Sequence, residues 1–201
     1  MNAGEGKGST LASDIDPISR CRLPLVQRED LDEAGRQVFD ATAANQRSIA
    51  RLRGPAGIRL HSSRSRELEY LRYETELGRR LTELAILVAA REMDQQFEWT
   101  LHEQEALKEG LEPQIIDIVR HRRAVEGLGD KEATIVSLGR ELFTTHRLSP
   151  ELYAQAHALF GSKTLVDLVA LMGNYAATAL LLSAFDQQLP EDMEPLLPIP
   201  R

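Results

Sequence analysis

Apolar residues recur at spacings of three and four through most of the chain, and no stretch alternates with period two between turn signals. That pattern predicts helices and no sheet. A first helix is expected over about 32–48, with Val38 and Phe39 inward. The run 52–63 holds Gly54, Pro55 and Gly57 and reads as a loop. Ser65 is placed to cap a helix over 66–78 that ends near Gly78. The next helix, Arg80–Glu92, carries Leu81, Leu84, Ala85, Leu87 and Val88 at helical spacing. Another spans about 94–109 and is closed by Gly110. Glu112-Pro113 gives a cap followed by proline at the first helical position, and that helix continues to about Arg122. Asp130 opens a helix to about His146, with Ile135, Leu138 and Leu142 on one face. Ser149-Pro150 repeats the cap-plus-proline start for 150–160, which Gly161 stops. The last helix, about 163–188, is apolar almost all round and belongs at a core or a subunit interface.

The ends read differently from the middle. Residues 1–22 are rich in Gly and Ser and form a flexible arm, the helical domain occupies 23–190, and 191–201 is a Pro-rich tail. Residues 1–16 lack the apolar core of a secretory signal, so a cytoplasmic location is expected. Thr164–Phe185 has the length of a membrane span. It holds Asp167, Gly173 and Asn174, however, and acidic residues follow it, so a buried core helix is the expected reading and no membrane partner is predicted.

Charge changes the picture mainly by exclusion. With 24 Lys and Arg against 31 Asp and Glu, the net charge is −7, which argues against a broad nucleic-acid-binding face. Cys21 is the single cysteine, so neither an intramolecular disulfide nor a CxxC dithiol can form. Arg20 and Arg22 flank it and favour a thiolate, although a lone thiol in an arm needs no function. No Gly-rich phosphate loop and no zinc-ligand ladder is present.

The segment with chemical content is Arg80–Ala85 together with Gln95–His102. Glu98 and His102 are four residues apart and share a helix face, and Gln95 lies one turn earlier. A carboxylate beside an imidazole fixes the ring tautomer and raises its basicity, whereas burial acts the other way. Glu83 stands in an apolar helix, where a buried carboxylate must either neutralise or find a partner. Each feature also has an ordinary explanation: Glu and His at this spacing are common on solvated helix faces, and acids are favoured near helix starts.

The spacing Glu83-x11-Gln95-x2-Glu98-x3-His102 matches the alkylhydroperoxidase-D signature E-x11-C-x2-C-x3-H, with Gln95 and Glu98 at the two cysteine positions. The run REMDQQFEWTLHEQEALKEGLEPQII, with Leu52-Arg53-Gly54-Pro55, Leu60-His61-Ser62 and the helix over 165–185, resembles the glutamate-tryptophan branch of the carboxymuconolactone decarboxylase-like superfamily. The resemblance covers about residues 23–190. It implies an all-α, AhpD-like helical domain assembled into a trimer or hexamer, with a site between helices near a subunit boundary and no organic cofactor. Dithiol peroxidase chemistry is not supported, because Gln95 and Glu98 cannot exchange disulfides.

Decarboxylation or isomerisation of a small carboxylate or lactone fits the residues better. His102 is expected as general acid–base, Glu98 as the group that orients it, and Glu83 as a proton relay or a protonated substrate ligand. Substrate-binding candidates are Arg53, Arg59, His61, Gln95 and Trp99, with Arg53 offering a guanidinium fork to a carboxylate. Arg80 and Arg91 are weaker, as ordinary surface charges. Two other readings stay open: a metal site made of Glu83, Glu98 and His102, and a non-catalytic helical oligomer or ligand-binding protein whose polar row serves packing.

Overall fold

A computed structural model describes residues 15–21, 23–31, 33–43, 53 and 71–199. Contacts divide the chain into two compact units, one formed by 1–63 with 185–188 and the other by 64–184 with 189–201.

In the first unit a single 3-10 turn, Arg28–Asp30, precedes helix α1, Glu33–Ala43. Arg28 clamps the two through a bidentate pair with Asp40, Nε to Oδ1 at 2.7 Å and Nη2 to Oδ2 at 2.8 Å. Val38 and Phe39 are half-buried. Around Ser19 and Cys21 the backbone closes on itself: Gln188 N donates to Arg20 O at 3.0 Å, and Gln187 Nε2 donates to Ser19 O at 3.3 Å. The Cys21 thiol is buried and donates to Leu23 O at 3.3 Å.

The second unit is built on α2, Arg79–Glu92, which packs against α3 (Gln96–Lys108), α4 (Pro113–Arg120), α5 (Asp130–Thr145) and α6 (Pro150–Ala184). Its run Leu84–Ala90 has no solvent-facing side, and every residue in it is at most 1 % exposed. A helix apolar all round has to be the centre of a core, and this one is. Among the described residues there is no strand, so the fold is all-α, as expected.

Helix starts follow local chemistry with a few departures. Gly78 precedes α2 at φ 79°, a left-handed conformation that suits glycine. The helix expected to run up to it is helical at 71–73 and then turns over 74–77; its earlier part lies outside the described residues. Pro113 opens α4 as expected. Asp130 opens α5 as expected, with Gly129 at the cap position. Ser149 caps nothing with its side chain; its N and Oγ are held by Glu141, at 2.5 and 3.1 Å. Gly161 breaks α6 at φ 70°, ψ 172°, where the sequence places a stop. The second limb of α6 ends at Ala184, short of the expected 188. That helix is long and apolar enough to cross a membrane by length and composition. Leu165, Leu168, Leu171, Met172, Tyr175, Ala179 and Leu182 point into the protein, whereas Val166 and Leu180 are exposed. Beyond it, Leu197 of the Pro-rich tail is buried in the same core.

One close approach governs how α2, α5 and α6 pack. A Cβ on Gly139 of α5 would lie 2.4 Å from Val88 Cγ1 and 3.3 Å from Met172 Cε. Alanine at this helical position would gain about 1 kcal/mol in propensity, yet valine is stiff at χ1 and cannot swing aside. Gly139→Ala should therefore be net destabilising, by about 1–3 kcal/mol of overpacking less that gain. Urea unfolding of both proteins measures the difference; an unchanged or raised midpoint would show that α5 shifts freely.

Candidate active site

The polar residues on facing sides of α2 and α3 meet inside the second unit. Glu83 is fully buried, and its position follows from the helix that carries it: it is the one acid among the apolar residues of α2 from Leu81 to Ala90. His102 Nδ1 lies 2.6 Å from Glu83 Oε2. The other ring nitrogen, Nε2, lies 3.3 Å from Glu98 Oε2 on the preceding turn of α3. One imidazole thus stands between two carboxylates, one on each nitrogen. Glu98 is 2 % and His102 6 % exposed, so all three are shielded from bulk water. Tyr175 of α6 closes the stack with its ring edge-on to His102, centroids 5.1 Å apart and planes at 88°.

Two arginines complete the surroundings. Arg79, four residues before Glu83, donates through Nη2 to Glu83 Oε1 at 2.8 Å. It also donates through Nη1 to Arg72 O at 2.8 Å and through Nε to Glu109 Oε1 at 3.2 Å. Arg72 Nη2 is 3.7 Å from Glu83 Oε1. Burial pushes the Glu83 carboxyl up, but the hydrogen bond and charge of His102, with the charges of Arg72 and Arg79, outweigh it and hold the group below its usual value. For His102, burial opposes the charged ring, yet hydrogen bonding and charge from Glu83 and Glu98 prevail and raise it above its usual value. Tyr175 moves further up, through burial first and the neighbouring Glu98 and Glu83 charges after it, against the pull of Arg72. Its hydroxyl therefore stays protonated.

Proton bookkeeping follows from these positions. Glu83 accepts from Nδ1, so that nitrogen carries a hydrogen. With its pKa raised above the usual value, His102 favours the doubly protonated ring between the two carboxylates. Glu98 Oε1 is buried and, among the described residues, has no hydrogen-bond partner. Buried carboxylate oxygens are rarely left so.

The remaining candidates divide. Gln95 is occupied as the cap of α3: Oε1 accepts from Phe97 N at 2.8 Å, and Nε2 donates to Ser183 Oγ at 2.9 Å. It lies on the row but its amide faces α6 and the helix start. Trp99 is fully buried, donating from Nε1 to Glu103 Oε2 at 2.6 Å, with Arg120 over its ring. It is packing, and its polar partners are Glu103 and Arg120, which pair with each other. Arg80 is a surface clamp joining α2 to Glu112 and Glu132, and Arg91 pairs with Asp94. Arg53 is exposed and belongs to the first unit. Arg59 and His61 lie outside the described residues.

The side chains as they stand do not form a convergent metal site. A shared ion needs donors that converge, but here the two carboxylates contact opposite nitrogens of one ring and the imidazole separates them. Among the described residues no group of three or more His, Cys, Asp or Glu side chains is placed to hold a metal.

Sequence reading missed Arg79, Arg72 and Tyr175. Arg79 left a signal, its i,i+4 spacing to Glu83. Arg72 and Tyr175 left none, because only the packing of the segment around residue 72 and of α6 against α3 brings them here.

Comparison with known proteins places these observations. No curated protein and no solved structure matches the chain. The model of the Carboxymuconolactone decarboxylase family matches residues 63–141, a span that contains Arg72, Arg79, Glu83, Glu98 and His102. Over that span the chain is similar to the carboxymuconolactone decarboxylase family, and its all-helical architecture is consistent with the AhpD-like superfamily to which the match points.

Proposed function

We propose that the protein is a cofactor-independent acid–base enzyme that decarboxylates or isomerises a small carboxylate or lactone, assembled as a homo-oligomer in the cytoplasm. The observation that carries this reading is the buried row Glu83–His102–Glu98, an imidazole with a carboxylate at each ring nitrogen. Glu98 Oε1 has no partner among the described residues and is the natural contact for substrate.

The geometry favours a division of roles different from the one expected from spacing. Glu83, kept ionised by Arg79 and His102, is the orienting group: it fixes the imidazole through Nδ1 as a carboxylate fixes a catalytic histidine generally. Glu98 and Nε2 then form the working end. In a decarboxylation the carbon–carbon bond to the carboxylate breaks, carbon dioxide leaves, and the electron pair moves into the conjugated carbonyl to give a dienolate. The proton held between His102 and Glu98 is delivered to carbon, and the site recovers it from water. In an isomerisation the same pair removes a proton from one carbon and returns it to another. Neither course needs an electron acceptor, and a chain lacking both cysteines of the signature has no dithiol to supply one.

The direct test is a panel of γ-lactone carboxylic acids and β-keto acids incubated with purified protein, with carbon dioxide release and product isomers followed by mass spectrometry. Consumption of at least one member is expected from wild type, with loss in His102→Gln. If wild type consumes none and His102→Gln dissociates the oligomer, the polar row serves packing instead.

A further inference from the structure

Among the described residues, a second buried polar atom beside this row has no partner: Arg72 Nε. The reason lies in its neighbour. Arg79 already satisfies Glu83 Oε1 at 2.8 Å, leaving Arg72 Nη2 at 3.7 Å, too far for a hydrogen bond. Arg72 is thus near enough to share the charge of Glu83 but is not held by it. Its guanidinium lies against the Tyr73 ring, 5.2 Å from the centroid, and its side chain is only 24 % exposed. The negative charge of Glu83 acts on it across that gap. Arg79, by contrast, uses Nε, Nη1 and Nη2 on protein acceptors.

A site with two buried carboxylates repels an anionic substrate unless a cation offsets them. Arg72 is ion-paired with Glu83 only at 3.7 Å and leaves Nε without a hydrogen-bond partner among the described residues, so its guanidinium keeps a donor for a further carboxylate. We propose that Arg72 is the residue that selects anionic substrates here, gripping a carboxylate that the substrate keeps through the reaction, while the substrate's reacting carbon faces Glu98 and His102. A carboxylate about to leave as carbon dioxide is a poor partner, because a cation on it stabilises the reactant more than the transition state. This assignment rests on the acid–base reading for the second half of its geometry only; the grip itself is an equilibrium property.

The test uses benzoate and its neutral counterpart benzamide as probes, titrated calorimetrically into full-length wild type, Arg72→Lys and Arg72→Ala. Wild type should prefer benzoate by about 10- to 100-fold, the worth of hydrogen bonds to a charged group. Arg72→Ala should bring the two probes to near equality, and Arg72→Lys should keep a reduced preference through charge without the fork. Circular dichroism and melting of each variant establish that it is folded, and Arg72→Gln, which keeps the stem, replaces Arg72→Ala if that variant does not fold. Equal binding of the two probes by wild type overturns the proposal, as does binding of neither or a preference that survives in Arg72→Ala. A preference that disappears with Arg72 while Glu98→Gln turns over normally would sink the acid–base reading and leave the anion grip standing.

Discussion

Glu98→Gln should lower kcat by about 10²- to 10⁴-fold on any substrate the wild type consumes, the usual worth of a positioned proton donor or acceptor. The loss comes from chemistry rather than folding. Glu98 Oε1 has no hydrogen-bond partner among the described residues, and Oε2 faces only His102 Nε2 in the ion pairs and hydrogen bonds of the row. An amide of the same shape fills the space but can neither take nor give the proton that the proposed chemistry moves through Glu98 and His102. His102→Gln should cost at least as much, since it removes the ring that links Glu98 to the orienting carboxylate. Because the two residues act as one unit, the double variant should be no slower than the slower single variant by more than a small factor. Steady-state kinetics on the four proteins, as functions of pH, checks this. If the two losses multiply, the residues act independently and the reactive proton does not pass through both. A KM that rises while kcat holds would make Glu98 a binding group only.

Much of the helical framework could be read before any coordinates, and the residues show why. The core of α2 is written in the unbroken run Leu84–Ala90, and the stop at Gly161 in a residue tolerant of positive φ. Pro113 and Pro150 mark helix starts because a missing N–H costs nothing there. Failures came where a side chain had a nonlocal alternative. Ser149 has the chemistry of a cap, but Glu141, a turn and a half away on the other side of the α5–α6 connection, binds it instead. Gln95 sits on the right face and at the right spacing for a ligand contact, yet Phe97 N and Ser183 compete for its amide. Spacing placed Glu98 and His102 together correctly, because i,i+4 is a local relation. It could not say which nitrogen each carboxylate takes, since that depends on how α2 crosses α3. For the same reason the supporting role fell to Glu98 in the sequence reading, whereas Glu83, held by Arg79 from its own helix, is the better-anchored acid.

Glu83→Ala should be the most destabilising single change in the site. It leaves His102, at 6 % exposure, without its Nδ1 acceptor, and Arg79 without the carboxylate at 2.8 Å. Removing one partner of a buried pair costs about 3–5 kcal/mol, which for a domain of this size lowers Tm by roughly 6–20 °C. Glu83→Gln should lose less, because a carbonyl oxygen can still accept from Nδ1 while the amide hydrogens oppose Arg79. The penalty should depend on pH in a definite sense. Glu83 has its pKa lowered by folding, so its contribution is complete above its ordinary value of 4.5 and is lost as pH falls through the folded value. His102 has its pKa raised, so its contribution is complete below its ordinary value of 6.5 and is lost as pH rises through the folded value. The difference in Tm between wild type and Glu83→Ala should accordingly be widest between pH 4.5 and 6.5 and narrow on either side. Melting curves recorded from pH 3 to pH 9 would reveal it. A difference that stays constant across that range would mean the Glu83–His102 pair carries no separated charges in the folded protein.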